Sequence, residues 1–147
     1  MGTDTTLPAA ERLVSLFDRL RKQALDQNPL EEHGITGPQL ALLNWLADSP
    51  GSGIREIAAG LGLTAPTVSV GVRKLEAAGL VERRPDPKDG RAIQLFLTPQ
   101  GQGLHQQARA FRREKMGQLL SELTPEESAR LLALLEKAIG AAEEKSN

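Results

Sequence analysis

The chain has 147 residues, enough for one domain with a core of its own, and its mix of 39% apolar and 25% charged residues belongs to a globular protein. The absence of cysteine excludes disulfides, thiolate metal sites and a thiol redox switch, and two histidines are too few for an all-histidine zinc centre. A net charge of −1 excludes a global basic field, so any nucleic-acid signal must be local.

No apolar run approaches the ~18 residues that span a bilayer, and no membrane partner is expected. The opening MGTDTTLP carries an acid and no apolar stretch, which is not the pattern of a secretory signal. It fits the permissive M-G-x-x-x-[ST] lipidation pattern through Gly2 and Thr6 but reads as an ordinary N-terminus. The expected location is the cytoplasm.

Residues 8–27 predict a helix, with Leu13, Leu16, Phe17, Leu20 and Ala24 on one stripe; Asn28-Pro29 stops it. Thr36-Gly37-Pro38-Gln39 reads as a capping box opening a helix that runs to about Asp48, with Leu40, Leu43, Trp45, Leu46 and Ala47 as its apolar candidates. The breaker cluster 49–53 follows. A short helix over 54–61 carries Ile54, Ile57, Ala58 and Leu61, and Gly62 is its natural terminator. Thr64 then caps another helix with Pro66 in its first turn, running to Ala78 before Gly79. Two helices joined by so short a glycine-containing turn form a helix-turn-helix.

Leu80–Arg84 and Arg91–Leu97 have strand character, and the segment DPKDG between them is rich in turn residues. A β-hairpin directly after a helix-turn-helix makes a winged helix-turn-helix. Thr98-Pro99 opens a long helix with Leu104, Ala108, Phe111, Met116, Leu119 and Leu123 on a stripe. Thr124-Pro125-Glu126-Glu127 opens the last helix, which carries Leu131, Leu134, Leu135, Ala138 and Ala142. The fold class is therefore mainly α with a small hairpin wing. The expected organisation is a single domain over 1–147, with the winged module at 36–98 and flanking helices at 8–28 and 99–144.

On a helical wheel, Val68, Val72 and Leu75 of helix 64–78 share a core-facing side. Pro66, Thr67, Val70, Arg73, Lys74 and Ala77 face outward, with Ser69 at the margin. That face is small near its start and basic further on, which suits a helix lying in the major groove: hydroxyls reach phosphate or base edges, and cations hold phosphate. Val70 could contact a thymine methyl. Mid-helix Gly71 points to close packing against a neighbouring helix.

At the hairpin, Asp89 and Arg91 are two apart and would share a strand face, so Asp89 could brace the guanidinium. An arginine held at a thin tip suits a narrow minor groove. Arg83, Arg84 and Lys88 are expected near the same tip, against phosphates. Asx turns are the second role open to Asp86 and Asp89. Segment 54–91 has a net charge of +2 where residues 1–53 have −3, so the basic balance is local to this module.

The run Thr67-Val68-Ser69, the stretch from Leu75 to Arg83, and Asp89-Gly90-Arg91 with Leu97-Thr98 resemble the MarR family of bacterial transcription regulators. The last group matches the family's D-x-R-x5-L-T wing signature. Many relatives have Arg directly after the T-V-S run, where this chain has Val70.

The resemblance implies a homodimer paired through both chain ends. Its two modules would grip one pseudo-palindromic double-stranded DNA operator, usually as a repressor. It places Thr67, Ser69, Arg73 and Lys74 in the major groove and Arg91 in the minor groove with Asp89 bracing it; Thr64, Pro66 and Val70 join the DNA-contact candidates by their place on the same helix. Pairing between chains would also bury two terminal apolar stripes that have no obvious core to join within one chain.

Relatives often release DNA on binding a small aromatic acid or drug, and Leu16, Leu20, His33, Trp45 and Arg112 are the cleft candidates for such an effector. Each also has an ordinary reading as core or surface. No cofactor, metal site or enzymatic activity is expected, since no metal-binding HExxH, phosphate-cradling glycine loop or G-x-S-x-G is present. The rival reading is a winged helix used for protein–protein assembly without DNA.

Overall fold

The protein is described here from a computed structural model covering residues 6–147. Gly2 of the lipidation pattern lies outside the described residues. Helix α1 (Thr6–Leu20) passes into one wider π-type turn at Arg21–Leu25. The chain then crosses a loop that Asn28 staples: its side-chain amide donates to the Ile35 carbonyl at 2.6 Å, and its oxygen accepts the Leu30 N–H at 3.0 Å. A single 3-10 turn, Glu31–His33, occupies that loop. Helices α2 (Gly37–Asp48), α3 (Ile54–Leu61) and α4 (Ala65–Ala77) follow, then strands β1 (Val81–Pro85) and β2 (Ile93–Leu97), then α5 (Pro99–Leu120) and α6 (Pro125–Ser146).

Local chemistry starts these helices where the sequence places their caps. Thr36 accepts the Gln39 N–H while the Gln39 side chain returns to the Thr36 N–H; Thr124 and Glu127 repeat this reciprocal arrangement. Thr64 accepts the Thr67 N–H at the head of α4. Gly62 and Gly79, which end α3 and the α4 corner, have φ of +66° and +75°, a conformation that costs other residues energy.

The chain divides into two compact units, Met1–Phe111 and Arg112–Asn147. In the first, Leu42, Leu43 and Leu46 of α2 meet Ile57 of α3, Val68, Val72 and Leu75 of α4, and Leu80, Val81, Leu95 and Leu97 around the hairpin; all are buried. Gly71 is where α4 lies against α2. A methyl group there would stand 2.6 Å from Leu42 Cδ1, so its glycine serves close packing.

The hairpin is antiparallel, with Val81 opposite Leu97, Arg83 opposite Leu95 and Pro85 opposite Ile93. It is wider than its two strands suggest. Gly51 N–H donates to the Leu95 carbonyl at 2.9 Å and Leu95 N–H to the Ser52 carbonyl at 3.1 Å, so the turn after α2 pairs with the free edge of β2. That pairing was not expected from the 49–53 breaker cluster. One strand expectation needs correction. β2 starts at Ile93, which leaves Arg91 in the turn, and Ile93 is 45% exposed, whereas Leu95 and Leu97 are buried. Ile93 pairs with Pro85 at the tip end of the hairpin, away from the end where Val81 and Leu97 are buried.

In the second unit, α6 displays Leu132, Leu134 and Ile139, each about half exposed, on a helix with no buried residue. In the first, Leu13, Val14, Leu16 and Phe17 of α1 are similarly uncovered. Ala24 is the residue of the predicted N-terminal stripe that is buried. Among the described residues no helix is long and apolar enough to cross a membrane.

Candidate nucleic-acid interface

The outward face of α4 is arranged as its periodicity predicts. Pro66, Thr67, Val70, Arg73, Lys74 and Ala77 are exposed, Ser69 is half-buried at the margin, and Val68, Val72 and Leu75 are fully enclosed. At the head of this face the Thr64 and Thr67 hydroxyls lie 2.7 Å apart, and Thr64 also accepts the Thr67 N–H. One hydroxyl hydrogen links the pair and the other is left to point outward. Arg73 folds back along the helix, its Nε 3.5 Å from the Ser69 carbonyl. Lys74 has no ion-pair partner among the described residues.

The turn between the strands is tied by its two aspartates. Asp86 accepts the Lys88 N–H at 2.8 Å, and Asp89 accepts the Arg91 N–H at 3.1 Å. The Asp86 N–H and Ala92 carbonyl close the turn at 3.0 Å. Both acids therefore make Asx turns. The expected Asp89 brace on the Arg91 guanidinium is absent, because the two residues lie in the turn rather than alternating in a strand. Asp89 holds the Arg91 main chain instead. Lys88 and Arg91 are exposed, with side chains that make no hydrogen bond or ion pair among the described residues.

Arg83 and Arg84 are placed differently from Lys88. Arg83 is in the middle of β1 on the core face, its Nε donating to Glu76 Oε1 of α4 at 2.6 Å. Arg84 is on the opposite face, paired with Glu82 and lying 4.4 Å over the Phe96 ring. Because β1 alternates, the adjacent arginines diverge to opposite faces and do not share one surface with Lys88. Glu76 had no role in the sequence reading beyond its place in the motif. The signal available was an acid one turn before the glycine corner and a base just beyond it.

The five effector candidates come from four elements of the chain. Leu16 and Leu20 are on α1, and His33 is on the exposed 3-10 turn. Trp45 belongs to the packing of the winged module: its indole N–H donates to the buried Ser52 hydroxyl at 3.1 Å, which donates to the Ser49 carbonyl. Its ring lies so close to α3 that a methyl group on Gly60 would stand 1.9 Å from it. Arg112 is exposed in the C-terminal unit. An open cleft on the outer side of the hairpin is lined by other residues, among them Asp48, Arg84, Phe96, His105 and Arg109.

A helix with a small, hydroxyl-bearing and basic outer face, beside a hairpin with free cations at its tip, is an arrangement for phosphate and groove contacts. Comparison with known proteins agrees. A sequence model of the MarR family matches residues 33–92. The HTH-type transcriptional repressor Rv2887 of Mycobacterium tuberculosis is 33% identical over 104 residues, 71% of this chain and 75% of that protein. The HTH-type transcriptional repressor MdtR of Bacillus subtilis is 31% identical over 137 residues, 92% of this chain and 87% of its own length. A MarR family protein from Bacillus stearothermophilus has the same fold, with a TM-score of 0.83 at 21% identity over 97% of this chain and 99% of the other. The chain belongs to the MarR family and is a DNA-binding regulator of transcription built on a winged helix-turn-helix.

Proposed function

We propose that the protein is a cytoplasmic repressor that binds a pseudo-palindromic double-stranded DNA operator as a homodimer. The observation that carries this reading is the uncovered outer face of α4 beside a hairpin tip where Lys88 and Arg91 are free. In this reading Thr64, Pro66, Thr67, Ser69, Val70, Arg73 and Lys74 meet the major groove. Arg91 enters the minor groove, and Asp89 shapes the turn that presents it. Lys88 meets phosphate, while Arg84 would have to leave Glu82 to do so. The winged module spans 36–98, and segments 8–28 and 99–144 join two copies. The half-exposed apolar residues of α1 and α6 support that pairing, since each helix displays three or more large side chains that a single chain leaves in water. The names of the two relatives support repression rather than activation. Release of the operator by a small aromatic or acidic effector completes the reading, with Leu16, Leu20, His33, Trp45 and Arg112 as its candidate contacts.

Fluorescence anisotropy against the gene's own upstream duplex and a shuffled duplex, across a salt series, tests the proposal. The expected result is tight binding to the upstream duplex that weakens with salt, the log–log slope counting displaced counterions. Lys74→Ala and Arg91→Ala should each weaken it while the dimer persists in gel filtration. Unchanged affinity in both variants would overturn the assignment. Absence of binding by the wild-type protein at low salt would favour protein–protein assembly.

A further inference from the structure

We infer that Glu76 and Arg83 form a clamp that sets the angle between α4 and the wing, making both positioning residues for sequence-specific DNA binding. This rests on the reading of α4 and the hairpin tip as the two DNA-contacting elements. Val81, Arg83 and Pro85 share one face of β1, and the residues opposite them are Leu97, Leu95 and Ile93. Val81, Leu95 and Leu97 are buried, so Arg83 projects from the core face of the hairpin rather than from its solvent face. It meets Glu76 there at 2.6 Å, with the two side chains 34% and 28% exposed. Among the described residues this is the only side-chain hydrogen bond between α4 and the hairpin.

Its position in the chain gives it leverage. The corner between α4 and β1 is already closed by Gly79 N–H to the Glu76 carbonyl, Leu80 N–H to the Leu75 carbonyl and the Thr98 hydroxyl to the Gly79 carbonyl. Those bonds fix where the chain turns. The bonds of Gly51 and Ser52 to Leu95 tie β2 to the α2–α3 turn, and the remaining roll of α4 against β1 is left to the side chains beyond the corner. An apolar pair at 76 and 83 would permit sliding; a charge-assisted hydrogen bond is directional and has one good geometry. A partly buried ion pair adds little net stability, so the role inferred for this one is geometric. The distance from Lys74 and Ser69 on α4 to Lys88 and Arg91 at the tip follows from that roll.

The alternative is that Arg83 contacts phosphate. The two ideas predict opposite signs for one variant. If Arg83 holds phosphate, Glu76→Ala frees the guanidinium, removes a carboxylate near DNA and tightens binding to every duplex. If the pair is a clamp, Glu76→Ala and Arg83→Ala both weaken binding to a preferred duplex by about tenfold, the scale of one misplaced base contact. Binding to a shuffled duplex would then change little.

The experiment begins with the duplex that the full-length wild-type protein enriches most from a randomised pool. Affinities for it and for its shuffled version are measured for wild type, Glu76→Ala, Glu76→Gln, Arg83→Ala, the double alanine variant and the exchange Glu76→Arg/Arg83→Glu. The clamp predicts a loss in the double variant no greater than in either single one. It also predicts partial retention with Gln and recovery of the preferred-to-shuffled ratio in the exchange. Tighter binding by Glu76→Ala, or additive losses, would overturn the clamp and leave the DNA-binding reading standing. Failure of the wild-type protein to enrich any duplex would overturn both.

Discussion

Two glycines in the first turns of α5, two residues apart, should respond oppositely to the same substitution. A methyl group on Gly101 would stand 2.1 Å from the Leu80 carbonyl oxygen and 3.0 Å from its carbon. That carbonyl is main chain, and it already accepts the Thr98 N–H at 3.0 Å, so it cannot swing aside as a side chain could. Side-chain Cβ atoms essentially never come within 3.0 Å of other heavy atoms, so helix and strand entrance must part by about 1 Å. Overpacking of this kind costs ~1–3 kcal/mol, and a clash with fixed backbone belongs at the upper end. Alanine recovers ~1 kcal/mol through helix propensity, leaving Gly101→Ala about 2 kcal/mol less stable. Gly103 has nothing within 4 Å of the same position. Gly103→Ala should therefore stabilise by ~0.5–1 kcal/mol. Thermal unfolding followed by far-UV circular dichroism at fixed protein concentration reads both, with Tm moving by roughly 2–4 °C per kcal/mol. Gly101→Ala as stable as wild type would refute the close approach of α5 to Leu80.

Ser52 is buried, and its hydroxyl accepts from the indole of the only tryptophan. Ser52→Ala should cost ~1–3 kcal/mol in urea unfolding and shift the Trp45 emission; an unchanged spectrum would mean that the indole has another partner. Thr124→Ala removes a reciprocal cap at the head of α6 and should cost ~1 kcal/mol in the same assay, with Thr124→Ser retaining most of it. Phe17→Asp puts a charge on the apolar face of α1 at a side chain that is 48% exposed. Sedimentation velocity should then show a shift toward monomer, whereas an unchanged dimer would place the self-association elsewhere.

The helix starts were readable in advance because a cap is completed within four residues. Thr36 with Gln39, Thr64 with Thr67 and Thr124 with Glu127 each close a ring whose geometry depends on little outside it. The same holds for the Asx turn at Asp86. The outward face of α4 was readable for a related reason: a 3.6-residue period assigns every side chain once the core side is known.

What a side chain meets on another element has no such local determinant. Arg83 and Arg84 are both basic residues of one short strand. Strand parity and the register of β1 against β2 turned one toward Glu76 and the other toward Phe96. Asp89 was two residues from Arg91 under any reading, yet its carboxylate took the main-chain N–H because β2 begins only at Ile93. The packing of α2 on α3 set the Trp45 ring against Gly60 and its N–H on Ser52. The pairing of Gly51 and Ser52 with β2 depends likewise on where the α2–α3 turn meets the hairpin. The sequence by itself determined the order of the elements, the helix starts and the core-facing side of α4, because those follow from interactions a few residues long. Only the tertiary structure decided which charges are free to meet DNA and which are spent within the protein, because that depends on register and on the close approach of elements distant in the chain.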